Sequence, residues 1–197
     1  NGVDLEFFTP DKEAKEPAEV VFSGKMSYHA NETAALYLVQ QVMPVVWAQR
    51  AETRVVLAGK DPGKALMRLG QMDRRVIVTG TVDDLRPYLR RATVAATLVS
   101  YGAGIQNKVL EAMACGTAVV GSPQAAAALQ VAAGAEMLIV EDAEAQARTL
   151  LQVIGDAALR SRLAAAGRAY VERQHDWYRI AAQLEQIYKA GYDSDRT

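Results

Sequence analysis

Short β-branched runs alternate with helix-forming stretches along the chain, and this alternation is the feature that most constrains the fold. Strands are predicted at residues 20–22, 54–58, 75–78, 94–99, 118–120 and 137–140. Strands separated by helices pair in parallel through right-handed crossovers, so helices cover both faces of the sheet. The sequence therefore predicts a three-layer α/β/α, Rossmann-like, doubly wound domain with a six-stranded, mainly parallel sheet.

Helix boundaries are predicted from capping residues, glycines and prolines. Asn31 is the predicted N-cap of a long helix that Pro44 bends or divides. A second helix is predicted over residues 107–114, with Gly116 as its stop. The chain after the sixth strand predicts helix through about residue 190, with an apolar stripe that includes residues 180, 184 and 187.

The carboxyl ends of the strands are the expected ligand edge, because doubly wound folds bind ligands there. Most of the loops at this edge carry a glycine at or near the strand end, where backbone can approach a ligand closely. A single such glycine commonly makes only a turn, whereas its recurrence favours a binding edge. The loops concerned are residues 23–31, 59–63, 79–84, 100–107 and 121–124.

Charge and cysteine content exclude several classes of protein. Twenty-two Lys and Arg residues against 23 Asp and Glu give a net charge of -1, which argues against broad binding of nucleic acid or anionic membranes. The lone Cys115 cannot form an internal disulfide framework and fits a reducing cytosol. The chain has only two histidines, His29 and His175, so no His/Cys metal cluster is expected. The Asp83-Asp84 pair is more typical of helix capping than of a metal site.

The segment from Tyr101 to Gly116 carries the clearest chemical signal. It follows a strand and opens a helix, and its glycines leave backbone N–H groups accessible near the helix N-terminus, an arrangement suited to phosphate. Lys108 adds a full positive charge, and Glu111 lies one turn later. A carboxylate does not favour phosphate but accepts hydrogen bonds from ribose hydroxyls. The pattern therefore favours a nucleoside diphosphate.

Other sites and structures share parts of this pattern. A capped helix with an i,i+3 Lys–Glu pair would have the same spacing and no ligand. The segment is not a Walker A loop, because no Gly-Lys-Ser/Thr follows its glycines. The loop after the first strand also lacks the three-glycine spacing of a dinucleotide fingerprint. From spacing alone, the nucleotide site and the capped helix remain equally good interpretations.

Several motifs, in order, resemble GT-B-fold retaining glycosyltransferases, in particular family 4 and its exopolysaccharide-associated sugar transferases. Leu-Glu-Ala-Met-Ala-Cys-Gly at 110–116 looks like their nucleotide-sugar segment, and Gly-Ile-Gln-Asn-Lys at 104–108 is similar to that subgroup. Gly-x-Met-x-Tyr-x-x-Asn at 24–31 and Gly-x-Val-x-Asp-Leu-Arg at 80–86 also fit. The start, Asn-Gly-Val-Asp, resembles the segment by which such enzymes enter their C-terminal domain. The resemblance runs from residue 1 to about 190.

The resemblance implies roles for particular residues. Lys25 and Lys108 would act on the donor diphosphate, and Glu111 would bind the ribose of the donor nucleotide. The backbone around Thr81 and Val82 would contact the base. The other donor-site residues that the resemblance implies are Gly24, Gly104, Ile105, Gln106 and Asn107.

Two positions depart from the family pattern. The first of the family's usual two glutamates would fall on Ala103, so recognition of the donor sugar must differ. A second basic residue expected after the first strand would fall on Ala30. Lys60, His29 or Lys108 could supply that charge. We favour Lys108, because a position in the first turn of a helix already faces the anion.

The resemblance also implies an organisation and an activity. Residues 1–18 are expected to be an interdomain linker, 19–175 the nucleotide-sugar-binding domain, and 176–197 a C-terminal helix and tail. The full-length protein would be a retaining glycosyltransferase of exopolysaccharide or cell-surface glycan synthesis, with an N-terminal acceptor-binding domain and no metal. It would be cytoplasmic, or peripheral at the inner membrane face. A noncatalytic nucleotide-binding or assembly domain and a sugar-nucleotide epimerase half are the alternatives.

Overall fold

The computed structural model describes residues 1–11, 15–102 and 104–194. Part of the charged stretch of the predicted linker, Lys12 and Glu13, lies outside the described residues. The same holds for Ala103, where the family's first glutamate would fall, and for the last three residues of the predicted tail.

Within these residues, six parallel strands form one sheet, in which the third strand of the chain is followed by the second, first, fourth, fifth and sixth. This order is that of a doubly wound nucleotide-binding fold and confirms the fold class predicted from the alternation. The buried strand residues are mostly valine and alanine, as expected for strands covered on both faces. The strands are β1 Glu19–Ser23, β2 Arg54–Ala58, β3 Val76–Gly80, β4 Val94–Thr97, β5 Val119–Gly121 and β6 Leu138–Ile139.

Helices connect the strands and cover both faces of the sheet. The first helix, α1 (His29–Tyr37), continues directly into a π-helical turn at Leu38–Val42, which leads into α2 (Met43–Gln49). Pro44 stands in the first turn of α2, so the helix changes its winding just before the proline. The helices are α1 His29–Tyr37, α2 Met43–Gln49, α3 Lys64–Met72, α4 Arg86–Arg91, α5 Asn107–Ala114, α6 Pro123–Ala126, α7 Ala143–Gly155, α8 Ala157–Gln174 and α9 Trp177–Ser194.

One predicted helix start is wrong and another is correct. The residue before α1 is Tyr28, and Asn31 lies inside the helix, where its buried side chain bonds elsewhere instead of capping. The helix α5 has the predicted bounds. Gly116 follows it with φ +69° and donates its N–H to the Met113 carbonyl at 3.0 Å, which closes the last turn.

The first residues of the chain pack onto the domain. Val3 donates to the His175 carbonyl at 2.7 Å, and Trp177 donates back to Val3 at 3.3 Å. The guanidinium of Arg168 donates to the Phe8 carbonyl at 2.8 Å. The start of the chain and the junction between α8 and α9 are therefore held together.

The apolar stripe of α9 is largely exposed. Leu184, Ile187 and Tyr188 are 50%, 67% and 70% exposed, and Trp177 at the helix start is 48% exposed. Ile180 is half-buried. Most of the stripe that the sequence shows is therefore not part of this domain's core. Among the described residues no helix combines the length and the apolar character needed to cross a membrane.

Candidate functional site

The strand order reverses between β1 and β4, and at the carboxyl edge of the sheet such a reversal forms the ligand crevice of a doubly wound fold. The connection after β1 runs toward β2, and the chain from β4 runs the other way toward β5, so the two loops diverge. Such a reversal of strand order is where doubly wound folds bind their ligands. The loop at 24–28 and the loop at 98–106 form its two sides.

Lys108 joins the two sides of this crevice. Its ammonium donates to the Asn31 side-chain oxygen at 2.9 Å and to the Gln106 side-chain oxygen at 3.2 Å. The Asn31 amide in turn donates to the Lys25 carbonyl at 2.9 Å. Two lysines that the sequence assigned to the diphosphate are thus linked through one buried asparagine.

Gly24 is required by this arrangement. Its φ of +144° disfavours other residues, and a Cβ there would lie 2.9 Å from the Asn31 amide nitrogen and 3.2 Å from the Lys108 side chain. The space around Gly59, which follows β2, is even smaller, since a Cβ added there would lie only 1.9 Å from the Gly24 carbonyl oxygen. Backbone therefore packs directly on backbone where the crevice begins.

Lys108 and Glu111 share a half-buried environment on α5. Burial lowers the pKa of Lys108, and the charge of Glu111 opposes this. Burial likewise raises the pKa of Glu111, and the charge of Lys108 opposes this. Each residue therefore carries its charge at a desolvation cost. An anion beside Lys108 and hydroxyl donors beside Glu111 would each lower that cost.

Thr81 and Val82 lie close to Lys25 although they follow a different strand. Together with Gly24 and Lys60, these three residues help to line a cleft of about 180 Å³. Met26 donates its N–H to the Lys60 carbonyl at 2.8 Å and so ties the loops after β1 and β2 together. The proposed base contacts and one proposed diphosphate contact are therefore neighbours.

The remaining predicted residues lie at the start of α5. Gly104 is exposed with φ +76°, and Ile105 is half-buried against the core. Gln106 precedes α5 without capping it through its side chain. Asn107 is exposed, and its side-chain oxygen accepts a hydrogen bond from Asn1 at 3.2 Å.

Sequence reasoning missed a bridge across the crevice. The Tyr101 hydroxyl contacts the imidazole of His29 and the hydroxyl of Thr33, the latter at 3.1 Å. These residues come from opposite sides of the crevice and are about seventy positions apart, so no local pattern connects them. His29, considered as a source of positive charge, is thus paired with a tyrosine.

No three His, Cys, Asp or Glu residues cluster as metal ligands in the described part of the chain. Asp84, half of the acidic pair noted in the sequence, accepts the Arg86 backbone N–H at 2.9 Å and pairs with the Arg86 guanidinium at 2.8 Å. Asp84 therefore pairs with Arg86 just ahead of α4, whereas the N-cap residue is Leu85 and no side chain caps the helix, so the predicted cap is wrong.

The sequence model of the family described as glycosyl transferases group 1 matches residues 17–156. This match covers well over half of the chain, and the strand order and the crevice agree with it. The chain belongs to this glycosyltransferase family. No functionally curated protein matches it in sequence.

Solved structures show the same fold at low sequence identity. Sucrose-phosphate synthase from Thermosynechococcus elongatus superposes with a TM-score of 0.75 at 23% identity, over 98% of this chain and 52% of that one. HepE from Anabaena, in complex with UDP, gives 0.76 at 17%, over 96% and 56%. The C-terminal domain of a glycosyl transferase group 1 family protein, LpcC from Francisella tularensis, gives 0.66 at 18%, over 89% and 100%.

The chain thus spans about half the length of two of these structures and the whole of an isolated C-terminal domain. Its fold is that of the C-terminal half of a GT-B glycosyltransferase.

Proposed function

We propose that this chain is the donor-binding domain of a retaining, family 4-like glycosyltransferase that uses a nucleotide-diphosphate sugar. The observation that carries the proposal is the crevice in which Lys108, Asn31 and Lys25 are linked at the reversal of strand order. Transfer would take place between this domain and an N-terminal, acceptor-binding domain of the same protein.

The diphosphate is the leaving group in such a reaction, and it gains negative charge as the bond to the sugar breaks. Lys108 and Lys25, with the backbone N–H groups at the start of α5, would stabilise that charge. Asn31 and Gln106 hold the Lys108 ammonium in place through two hydrogen bonds. Such preorganisation reduces the rearrangement that the reaction needs.

The nucleoside would lie along the rest of the crevice. Glu111 would accept hydrogen bonds from the ribose hydroxyls, and the backbone at Thr81 and Val82 would contact the base. The backbone from Gly104 to Asn107 would line the sugar–diphosphate pocket. UDP is the first nucleotide to test, because HepE, which shares the fold, was solved with UDP.

Calorimetric titration with UDP, GDP and ADP tests donor binding. We expect Lys108→Ala and Lys25→Ala each to weaken binding of the preferred diphosphate about tenfold or more, as for loss of a charge-assisted hydrogen bond. Lys189→Ala removes an exposed lysine of α9 that pairs with Glu185 at 2.7 Å, and it serves as the matched control. Equal affinities for Lys108→Ala and the wild type would contradict the assignment of Lys108.

The proposed role of the whole protein is synthesis of exopolysaccharide or cell-surface glycan on the cytoplasmic side of the membrane. The exopolysaccharide-like motifs at 104–108 and 24–31 support it. An assay of the full-length protein with radiolabelled sugar nucleotides and lipid-linked acceptors tests this role. Nucleotide binding without transfer to any acceptor would instead favour the noncatalytic binding domain.

A further inference from the structure

A cavity of about 410 Å³ opens at the amino edge of the sheet, away from the crevice. Its lining includes Thr93 and Ala118, which directly precede β4 and β5, and Ala157, Arg160 and Ser161 from the first turns of α8. Its volume falls within the range of about 300 to 1,000 Å³ found for small-molecule sites. The cavity is separate from the proposed donor site, which lies at the carboxyl ends of the strands.

Arg160 lines this cavity and has an unused pair of hydrogen-bond donors. Its Nη1 donates to the Val153 and Ile154 carbonyls, both at 2.8 Å, so the guanidinium is held against the end of α7. Its Nε and Nη2 have no hydrogen-bond partner among the described residues. These two nitrogens form the edge with which a guanidinium binds a phosphate or a carboxylate through two parallel hydrogen bonds.

Lys15 adds a second positive charge to the lining. The residue as a whole is exposed, but its ammonium donates to two backbone carbonyls at 3.0 and 3.2 Å and to the Thr117 hydroxyl at 3.1 Å. These acceptors hold the ammonium in place but carry no net charge. Burial lowers the pKa of Lys15 to about 8; Cys115 opposes this shift, and repulsion from Arg160 adds to it. The two cations are therefore close enough to destabilise one another.

No carboxylate offsets these two cations in the part of the chain that the structure describes. Asp and Glu are absent from the lining, and neither Lys15 nor Arg160 takes part in an ion pair there. The acidic residues closest to them in sequence bond elsewhere. Glu16 pairs with Arg54 at 2.8 Å, and Asp156 accepts a backbone N–H of α8 at 2.9 Å. An anion in the cavity would relieve the repulsion between the two cations.

We propose that this cavity binds a small phosphate ester, with Arg160 as the direct donor and Lys15 as a supporting charge. A phosphate dianion accepts the paired hydrogen bonds of a guanidinium and is attracted by both cations. Small side chains and the exposed Ser161 hydroxyl line the rest of the cavity and leave room for the organic part of the ester. The site is additional to the donor crevice and does not depend on the proposed function.

Amide-resolved NMR titration of the ¹⁵N-labelled chain tests the proposal. Ribose 5-phosphate is added in the presence of saturating UDP, with ribose as its uncharged counterpart and inorganic phosphate as the bare anion. We expect ribose 5-phosphate to shift the amides at 117–118 and 157–161, whereas UDP shifts those at 24–25 and 104–111. Ribose should shift neither set.

Three results of this titration would overturn the site. The first is that ribose 5-phosphate shifts only the crevice amides and is displaced by UDP, because the anion would then bind in the crevice. The second is that no probe shifts the amides at the cavity. The third is that ribose or inorganic phosphate binds there as tightly as the ester. Absence of UDP shifts would count against the proposed donor site and not against this one.

A matched pair at Ser161 tests the charge preference without disturbing a buried contact. Ser161→Asp places a carboxylate at an exposed position of the lining and should weaken binding of ribose 5-phosphate about tenfold, through repulsion of the phosphate. Ser161→Asn has nearly the same size and shape without the charge, and should bind at least several times more tightly than Ser161→Asp. Equal affinities for the two variants would contradict an anion at this cavity.

A second pair on α8 tests the role of Arg160. Arg160→Ala should weaken binding of ribose 5-phosphate about tenfold or more, because charge-assisted hydrogen bonds are lost. Arg162→Ala removes an exposed arginine of the same helix, which donates to the Gly134 carbonyl at 3.0 Å, and should leave the affinity unchanged. Equal weakening by both variants would contradict the assignment of Arg160. If Arg160→Ala does not fold, the Ser161 pair still decides between the outcomes.

Discussion

At the scale of single residues, the half-buried carboxylate of Glu111 predicts a pH dependence of nucleotide binding. Burial raises the pKa of Glu111, so protonation begins at a higher pH than for an ordinary glutamate. Only the ionised form can accept both ribose hydroxyls, so affinity for UDP should fall as pH is lowered from about 8 toward 5.

Calorimetry at a series of pH values measures this effect. The wild type and Glu111→Gln are compared, because the diphosphate also titrates and contributes equally to both. The fall in affinity should be steeper for the wild type. Parallel pH profiles would contradict the ribose-binding role of Glu111. Glu52→Ala, before β2 at the opposite edge of the sheet, is the carboxylate control.

The contact between Gly59 and Gly24 predicts an unusually sensitive position. A Cβ at residue 59 would lie 1.9 Å from a backbone oxygen, and its φ of +143° is also unfavourable for alanine. Gly59→Ala should lower the free energy of unfolding by about 3 kcal/mol. Urea denaturation measures it, with Gly155→Ala as the control, because a Cβ there meets only the Arg50 guanidinium at 3.4 Å. A Gly59→Ala protein as stable as the control variant would contradict the packing.

The thiol of Cys115 should react slowly with alkylating reagents in the folded chain. It is 2% exposed, and burial raises the pKa of its thiol to about 11. Little thiolate then exists at neutral pH, so labelling by a thiol reagent should be slow until denaturant is added. Mass spectrometry after timed alkylation measures the rate. Rapid labelling of the native protein would show that Cys115 is accessible.

At the scale of secondary-structure elements, the start of α8 depends on a side-chain cap. The Asp156 carboxylate accepts the Leu159 N–H at 2.9 Å. Asp156→Ala should cost about 1 kcal/mol of stability, the usual value for an N-cap. Thermal and urea unfolding measure it. Asp83→Ala, at an exposed residue, is the control. If Asp156→Ala lowered stability no more than Asp83→Ala does, the cap would contribute nothing.

The helices and strands also show which parts of the fold can be predicted from the sequence. Strand runs and the helix at 107–114 were predictable, because hydrophobic pattern, glycine stops and helix propensity act within a few residues. The error at Asn31 has the opposite cause. Asparagine before an apolar run is a good local cap signal, but Lys108, 77 positions away, provides a tertiary partner for its side chain. Local rules do not contain that partner.

The same limit applies to the candidate site. Gly24, Lys25 and residues 104–111 could be chosen from motifs, and the strand order explains why they face one crevice. The Tyr101 contacts with His29 and Thr33 depend on how separate loops fold over the sheet edge. The spacing of those residues in the sequence does not predict the contacts.

At the scale of the whole molecule, the chain should bind the donor and transfer little or no sugar. The proposed diphosphate crevice lies within the described residues, while transfer in GT-B enzymes occurs between two domains. An assay with labelled sugar nucleotide and acceptor compares the 197 residues alone with the same residues joined to the proposed N-terminal domain, using UDP binding to show that both are folded. Robust transfer by the 197 residues would contradict this expectation.

The exposed apolar side of α9 has a practical optical consequence. The chain has two tryptophans, and they differ in surroundings. Trp47 donates its indole N–H to the Thr53 carbonyl at 2.8 Å and lies under the Arg75 guanidinium, whereas Trp177 is 48% exposed at the start of α9. Emission from Trp177 should therefore be red-shifted and readily quenched by acrylamide. In a Trp47→Phe background, a molecule that covers the start of α9 would shift the Trp177 emission to the blue and protect it from acrylamide quenching. Binding at this surface could therefore be detected without a label.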